Sequence, residues 1–260
     1  MQSARIPTAE TAPRPTSAQR ATPLPPGWYP LRALRALRAL VANPDETQHV
    51  FTIIESLSGH APLRVLARFE ASESGRKLLA ERADILPLLA NRARLRAMPE
   101  GSLAHAYLAF LDREKISADG LVQASHDGET GNFERGAAFE YVGDRLRDTH
   151  DLWHAVTGYQ GDVYGETALL AFSVAMTKNP GVALIVLASL VEARDPALVR
   201  LVVGAFRAGR RAEWLPAVAW EELLPLPLAE VRARLRIAPA PAYEPVRTSD
   251  LRATGQLAPA

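Results

Sequence analysis

The 260-residue chain contains no cysteine. It can therefore form no disulfide, iron–sulfur cluster or thiolate-bound zinc, and any metal centre must be built from nitrogen and oxygen donors. Lysine is nearly absent as well, with Lys77, Lys115 and Lys178 as its three occurrences, and the remaining positive side chains are arginines. The formal net charge is only +1, which gives no general attraction for a polyanion, so no nucleic-acid partner is expected. Long apolar runs are missing too. The longest, GVALIVLASLV from Gly181 to Val191, has eleven residues, against the roughly 20 that a spanning helix needs. The N-terminal residues lack the apolar core of an export signal, so the expected compartment is the cytoplasm, with peripheral contact at the inner face of the membrane left open.

Sustained alternation of apolar and polar residues with β-branched enrichment is also lacking, so the expected class is all-α. A hydrophobic content of 48% over this length suits one globular helical domain. Residues 1–28 are rich in Pro, Ser, Thr and Ala without apolar periodicity and read as a disordered tail. Residues 238–260 have the same character, which leaves 29–237 as the helical domain.

Within that domain, LRALRALRAL from Leu31 to Leu40 repeats every three residues, so its leucines drift around the helix instead of forming one clean face. A packing helix is favoured there over an amphipathic membrane-surface helix. Asp45 is placed to cap the next helix. Further helices are expected over LRVLARFEAS, over the whole of GRKLLAERADILPLLANRARLRAM, and over SLAHAYLAFLDREK. Asn179-Pro180-Gly181 and Asp195-Pro196 start two apolar helices, and PLAEVRARL forms the last.

The segment HDLWHAVTGYQGDVYGE, from His150 to Glu166, carries the chemistry. A helix expected from about Phe139 to Thr157 places Val142, Leu146, Thr149, Trp153 and Val156 on one stripe, with His150 and His154 one turn apart along its edge. Imidazoles at i and i+4 suit two nitrogens converging on one ion. Asp151 lies between them, as a third ligand or as a group that fixes an imidazole tautomer. Gly158 ends the helix, and a second begins at about Asp162 or Val163 with Glu166 in its first turns. That second helix, ETALLAFSVAM, is apolar nearly all round, and an unpaired carboxylate buried there is costly. A divalent cation would satisfy it, and imidazole with carboxylate suits zinc, iron or manganese. The alternative has His150 on a backbone carbonyl, His154 solvated, and Glu166 paired with Arg145 or Arg147. His49, His60, His105 and His126 lie apart and read as structural, with His126-Asp127 in a turn.

The spacing HDxxH, eleven residues, then Glu166 resembles the signature of the coenzyme Q biosynthesis protein 4 family. Thr157-Gly158, Gly165-Glu166, GSLAHAYLAFLD from Gly101, and WEELLPLPLAEVRARLRI from Trp220 to Ile237 are similar to it as well. The resemblance implies a helical protein that meets membranes peripherally and binds a divalent metal, zinc foremost, through His150, Asp151, His154 and Glu166. It also implies a place in ubiquinone biosynthesis, as a lyase that removes the ring carboxylate at carbon 1 of a polyprenylated hydroxybenzoate with oxidation of that carbon, as an organiser of the biosynthetic proteins, or as both. Asp151 is then the expected catalytic residue, and Arg145 and Arg147 are expected to assist with the substrate carboxylate, a solvated helix face being their other reading. A homodimer and other ubiquinone biosynthesis proteins are the expected partners. A lipid-binding scaffold with a structural metal is the competing role, and a metallohydrolase is a third.

Overall fold

Capping and proline signals set the helix boundaries. The computed structural model describes residues 28–43, 46, 48–116 and 136–253, and fifteen α-helices run through them. The first seven are α1 (Pro30–Ala42), α2 (Gln48–Leu57), α3 (Ala61–Ala71), α4 (Glu73–Glu81), α5 (Leu86–Ala90), α6 (Arg92–Arg96) and α7 (Leu103–Glu114). There follow α8 (Ala137–Asp148), α9 (His150–Thr157), α10 (Val163–Thr177), α11 (Pro180–Ala193) and α12 (Pro196–Arg211). The last are α13 (Trp220–Leu223), α14 (Leu228–Leu235) and α15 (Thr248–Ala253). Among the described residues there is no strand, only an isolated bridge between Ser102 and Pro227, so the all-α expectation holds. No helix among them is long and apolar enough to cross a membrane.

The turns between α10, α11 and α12 use one device twice. Lys178 and Arg194 take the left-handed conformation that ends a helix. Asn179 and Asp195 then accept hydrogen bonds from the first free amides of the next helix, and proline follows at its first position. Each turn satisfies amides that the helix itself cannot pair. The result is three consecutive helices in tight succession, with α12 packed along α10. Trp153 and Phe172 meet edge to face in this core, their rings 6.4 Å apart, and Tyr107, Phe110, Leu152, Leu169 and Trp220 are fully buried.

Three sequence expectations change. GRKLLAERADILPLLANRARLRAM is not one helix. Arg82 turns left-handed, Asp84 accepts a hydrogen bond from the Leu86 amide, and Pro87 sits at the start of the next helix, so the stretch divides into α4, α5 and α6. The helix expected over 139–157 breaks at Thr149, which separates α8 from α9. In α1 Ala33 and Ala36 are buried, Leu37 and Leu40 pack partly against the core and Leu31 is 71% exposed, as leucines that drift around a helix should be. Residues 238–253, read as part of a tail, lie bonded along the helical body and end in α15. The expectations for residues 1–27, Asp45, His126-Asp127 and 254–260 fall outside the described residues.

The Asn179 cap also donates to Ser58 Oγ at 3.1 Å and is buried. Asn179→Ala removes the acceptor for two amides and a side-chain contact to the α2–α3 turn, and should cost about 1–2 kcal/mol. Thermal unfolding should show the Tm falling by a few degrees, and an unchanged Tm would mean that water replaces the cap.

Candidate metal centre

Helix α9 is short, and from Asp151 to Thr157 it is buried on every side. Its C-terminus is set by Gly158, whose φ of +86° is left-handed and whose amide returns to the His154 carbonyl at 2.7 Å. Such a turn favours glycine because a Cβ there is strained. The chain then reverses. Asp162 caps α10 by accepting from the Tyr164 and Gly165 amides at 3.0 and 3.3 Å, and Glu166 follows in the first turn. Gly165 has no room for a side chain: a Cβ there would overlap the Gln160 carbonyl and the Tyr243 hydroxyl.

This hairpin brings His150, His154 and Glu166 together, with one donor atom from each within 4.8 Å of the others. His154 Nε2 lies 3.2 Å from one Glu166 oxygen, and His150 Nε2 lies 4.0 Å from the other. The rings of the two histidines meet edge to face with centroids 4.9 Å apart. Contrary to the edge position expected, the His154 side chain has no exposed surface, while that of His150 is 28% exposed. The His154 ring stacks on Phe110 with centroids 4.6 Å apart.

The hydrogen bonds of His154 decide which nitrogen is available. Its Nδ1 lies 2.9 Å from the Tyr159 carbonyl oxygen, which can only accept, so Nδ1 carries the proton and Nε2 presents a lone pair in the neutral ring. Nε2 is buried and has no hydrogen-bond partner, because the nearby Glu166 oxygen stands at ion-pair distance without hydrogen-bond geometry. A buried nitrogen lone pair facing a carboxylate fits a divalent cation, which would satisfy both. Without a cation the two groups adjust to each other. Burial pulls the His154 pKa down, but the Glu166 charge and the contacts of Glu166, Asp151 and Tyr159 outweigh it and leave the pKa raised. Crowding by protein pushes the Glu166 pKa up, and the charges of His154 and His150 overcome this and lower it. Glu166 was expected to be interior, yet its side chain keeps 43% exposure. It stands at the mouth of the site, crowded by protein on one side and open to solvent on the other.

Asp151 stands beside the group. Its side chain is 8% exposed, and Oδ1 lies 3.3 Å from His150 Nδ1, which directs the free nitrogen of His150 toward Glu166. Arg145 is taken up elsewhere: its guanidinium is buried, makes two 2.8 Å bonds to Glu221, and donates to the Val218 carbonyl. Arg147 bonds Asp144 and Asp148, each at 2.9 Å. Neither arginine joins the histidine group. His49 pairs with Glu46, and His105 reaches the Arg96 carbonyl.

Several residues of the site were not read from the sequence. Phe110, the Tyr159 carbonyl and the Tyr243 hydroxyl arrive through folding, and nothing in their local sequence marks them. Tyr243 donates to Asp162 Oδ2 at 2.7 Å and accepts from the Gln160 amide at 3.0 Å. Burial and the bond to Asp162 raise its pKa, so the phenol remains the donor.

The sequence profile described as "Coenzyme Q (ubiquinone) biosynthesis protein Coq4" matches residues 29–241. The chain is 33% identical over 236 residues to a protein of Podospora anserina named ubiquinone biosynthesis protein COQ4, mitochondrial, with 85% of this chain and 75% of that protein covered. A protein of the same name from Clavispora lusitaniae is 29% identical, with 83% and 69% covered. One from Talaromyces stipitatus is 35% identical over 68% of this chain, which spans 60% of that relative. A crystal structure from Nostoc punctiforme shares the fold with a TM-score of 0.58 at 23% identity, over 80% of this chain and 98% of that one.

Two outcomes follow from the geometry. Gly165→Ala should lower stability by about 1–3 kcal/mol by forcing the start of α10 away from the loop, and denaturant unfolding measures it. In chelator-treated protein, the His154–Glu166 pair stabilises where the imidazole is charged and the carboxylate ionised. A raised histidine pKa gives stability that is present below the unfolded value and is lost as pH rises through the folded one. The lowered carboxylate pKa gives stability that is lost on the acid side. The Tm advantage of wild type over Glu166→Gln should therefore be largest in mildly acid solution and shrink toward alkaline pH, and a pH-independent difference would contradict the pairing.

Proposed function

Since this chain belongs to the coenzyme Q (ubiquinone) biosynthesis protein Coq4 family, we propose that His150, His154 and Glu166 hold a divalent cation at which a polyprenylated hydroxybenzoate is processed. Zinc is the foremost candidate for these donors, and iron and manganese also suit them. In this reading the ring carboxylate at carbon 1 leaves as carbon dioxide, water supplies the hydroxyl oxygen that takes its place on that carbon, and the two electrons and two protons released pass to an acceptor supplied from outside the chain. The bound cation supplies Lewis acidity toward the substrate carboxylate or phenolate.

The observation that carries the reading is the buried, unpartnered Nε2 of His154 facing Glu166. The chain's own groups divide the remaining work. Tyr159 fixes the His154 tautomer and Asp151 orients His150, so Asp151 acts through a ligand rather than as one. Phe110 covers the His154 face and keeps water from it. Glu166, partly exposed, marks the side from which a substrate arrives. A cleft of about 510 Å³ at the end of α10 away from Glu166, where Val174, Ala175, Pro180, Ala183 and Phe206 lie beside Lys178, Asn179 and Arg210, offers an apolar wall for part of a prenyl tail.

A second reading, a scaffold that organises other ubiquinone biosynthesis proteins at a membrane surface, is favoured by the exposed apolar side chains Leu187 and Val191 of α11 and Val203 and Phe206 of α12. Purified protein should carry about one equivalent of metal, and His154→Ala should lose both the metal and quinone production in cells that depend on this chain. A folded, metal-free His154→Ala protein that still supports quinone synthesis would establish the scaffold and remove the catalytic role.

A further inference from the structure

Residues 238–247 read APAPAYEPVR, a composition that suggested a tail. In the structure they cross the hairpin that carries the metal group. The Ala240 amide donates to the Thr157 carbonyl at 2.7 Å, the Val246 amide donates to Asp162 Oδ1 at 3.0 Å, and the Val246 carbonyl accepts from the Val163 amide at 2.9 Å. Between these points the Tyr243 hydroxyl joins the Gln160 amide to Asp162 Oδ2. Beyond them Arg247 pairs with Glu114, whose side chain is only 4% exposed.

The sequence of this strap suits docking. Pro239, Pro241 and Pro245 have no amide hydrogen and a fixed φ, so they hold the chain extended before it binds and reduce the entropy lost on docking. The amides that remain at Ala240 and Val246 are among those that bond the hairpin. The contacts fall on both arms. Thr157 lies three residues after His154, and Asp162 lies four residues before Glu166 and caps its helix. The separation of those arms sets the distance from His154 Nε2 to the Glu166 carboxylate.

We propose that the strap is a positioning element of the metal group, with Tyr243 as its principal residue, and that it holds the His154 and Glu166 donors at ligand separation. Tyr243 touches neither donor. It acts through Gln160 and Asp162, and the inference rests on the metal-site reading above.

The experiment titrates the full chain with Co²⁺ and follows the visible absorption bands, in wild type, Tyr243→Phe and Glu244→Ala. Glu244 is an exposed strap residue and serves as the control. Tyr243→Phe should bind Co²⁺ about 10-fold more weakly or worse, as loss of a group that orients ligands does, with altered band intensity and a far-ultraviolet dichroism like that of wild type. Glu244→Ala should match wild type. Equal affinity and identical bands in Tyr243→Phe would overturn the proposal. If Tyr243→Phe does not fold, the double variant Pro241→Ala/Pro245→Ala serves in its place, since it removes no bond to the hairpin and only frees the strap before docking, and the same outcomes apply. Amide exchange over residues 158–166 in metal-free protein separates the two ideas. Faster exchange in Tyr243→Phe supports the clamp even if wild type binds no Co²⁺, an outcome that would remove the metal reading alone, and unchanged exchange overturns the clamp.

Discussion

The hydrogen bond from His154 Nδ1 to the Tyr159 carbonyl, 2.9 Å long and buried, is the contact on which the site depends. It spans the turn that ends α9, so it can form only when Gly158 has reversed the chain. It also decides the chemistry of the ring, because a proton held on Nδ1 leaves Nε2 as a base with nothing but Glu166 before it. Buried polar atoms are rarely left without partners. Where one is aimed at a carboxylate, a cation between them satisfies both groups.

The surrounding structure maintains that one geometry. Phe110 of α7 stacks on the imidazole, Arg232 of α14 donates to the Val156 carbonyl at 2.8 Å, and the strap ties Thr157 to Ala240. On the other arm Asp162 accepts from two amides of its own helix, from the Val246 amide and from Tyr243. One carboxylate thus caps a helix and anchors the strap at once. Arg145 plays a comparable part nearby, where its paired bonds to Glu221 fix α8 against α13. Removing one member of such a buried pair leaves a charge without compensation, which accounts for an arginine there without reference to substrate.

Much of this was legible in the sequence because it is local. The i, i+4 histidines, Gly158 as a helix stop, the start at Asp162 and the Asn179-Pro180 and Asp195-Pro196 turns are all short-range signals, and each appears where it was read. Residues whose roles come from tertiary contact were not legible. Arginines on a helix look alike whether they face solvent or Glu221, and Tyr243 sits in a proline-rich run whose composition is that of a flexible tail. The exposure of Glu166 departs from the expected burial for a related reason. The sequence shows that the neighbours of a side chain are apolar, but not that the helix begins at the rim of the site.

The family to which the chain belongs and the buried lone pair on His154 lead to one central claim, that a cation sits between the two arms of the hairpin. A crystal grown with zinc and measured across its absorption edge tests this most directly. A cation held there gives one anomalous peak about 2.0–2.2 Å from His154 Nε2, His150 Nε2 and a Glu166 oxygen. A hairpin without a peak, in crystals where zinc occupies another group such as His49 and Glu46, would contradict it.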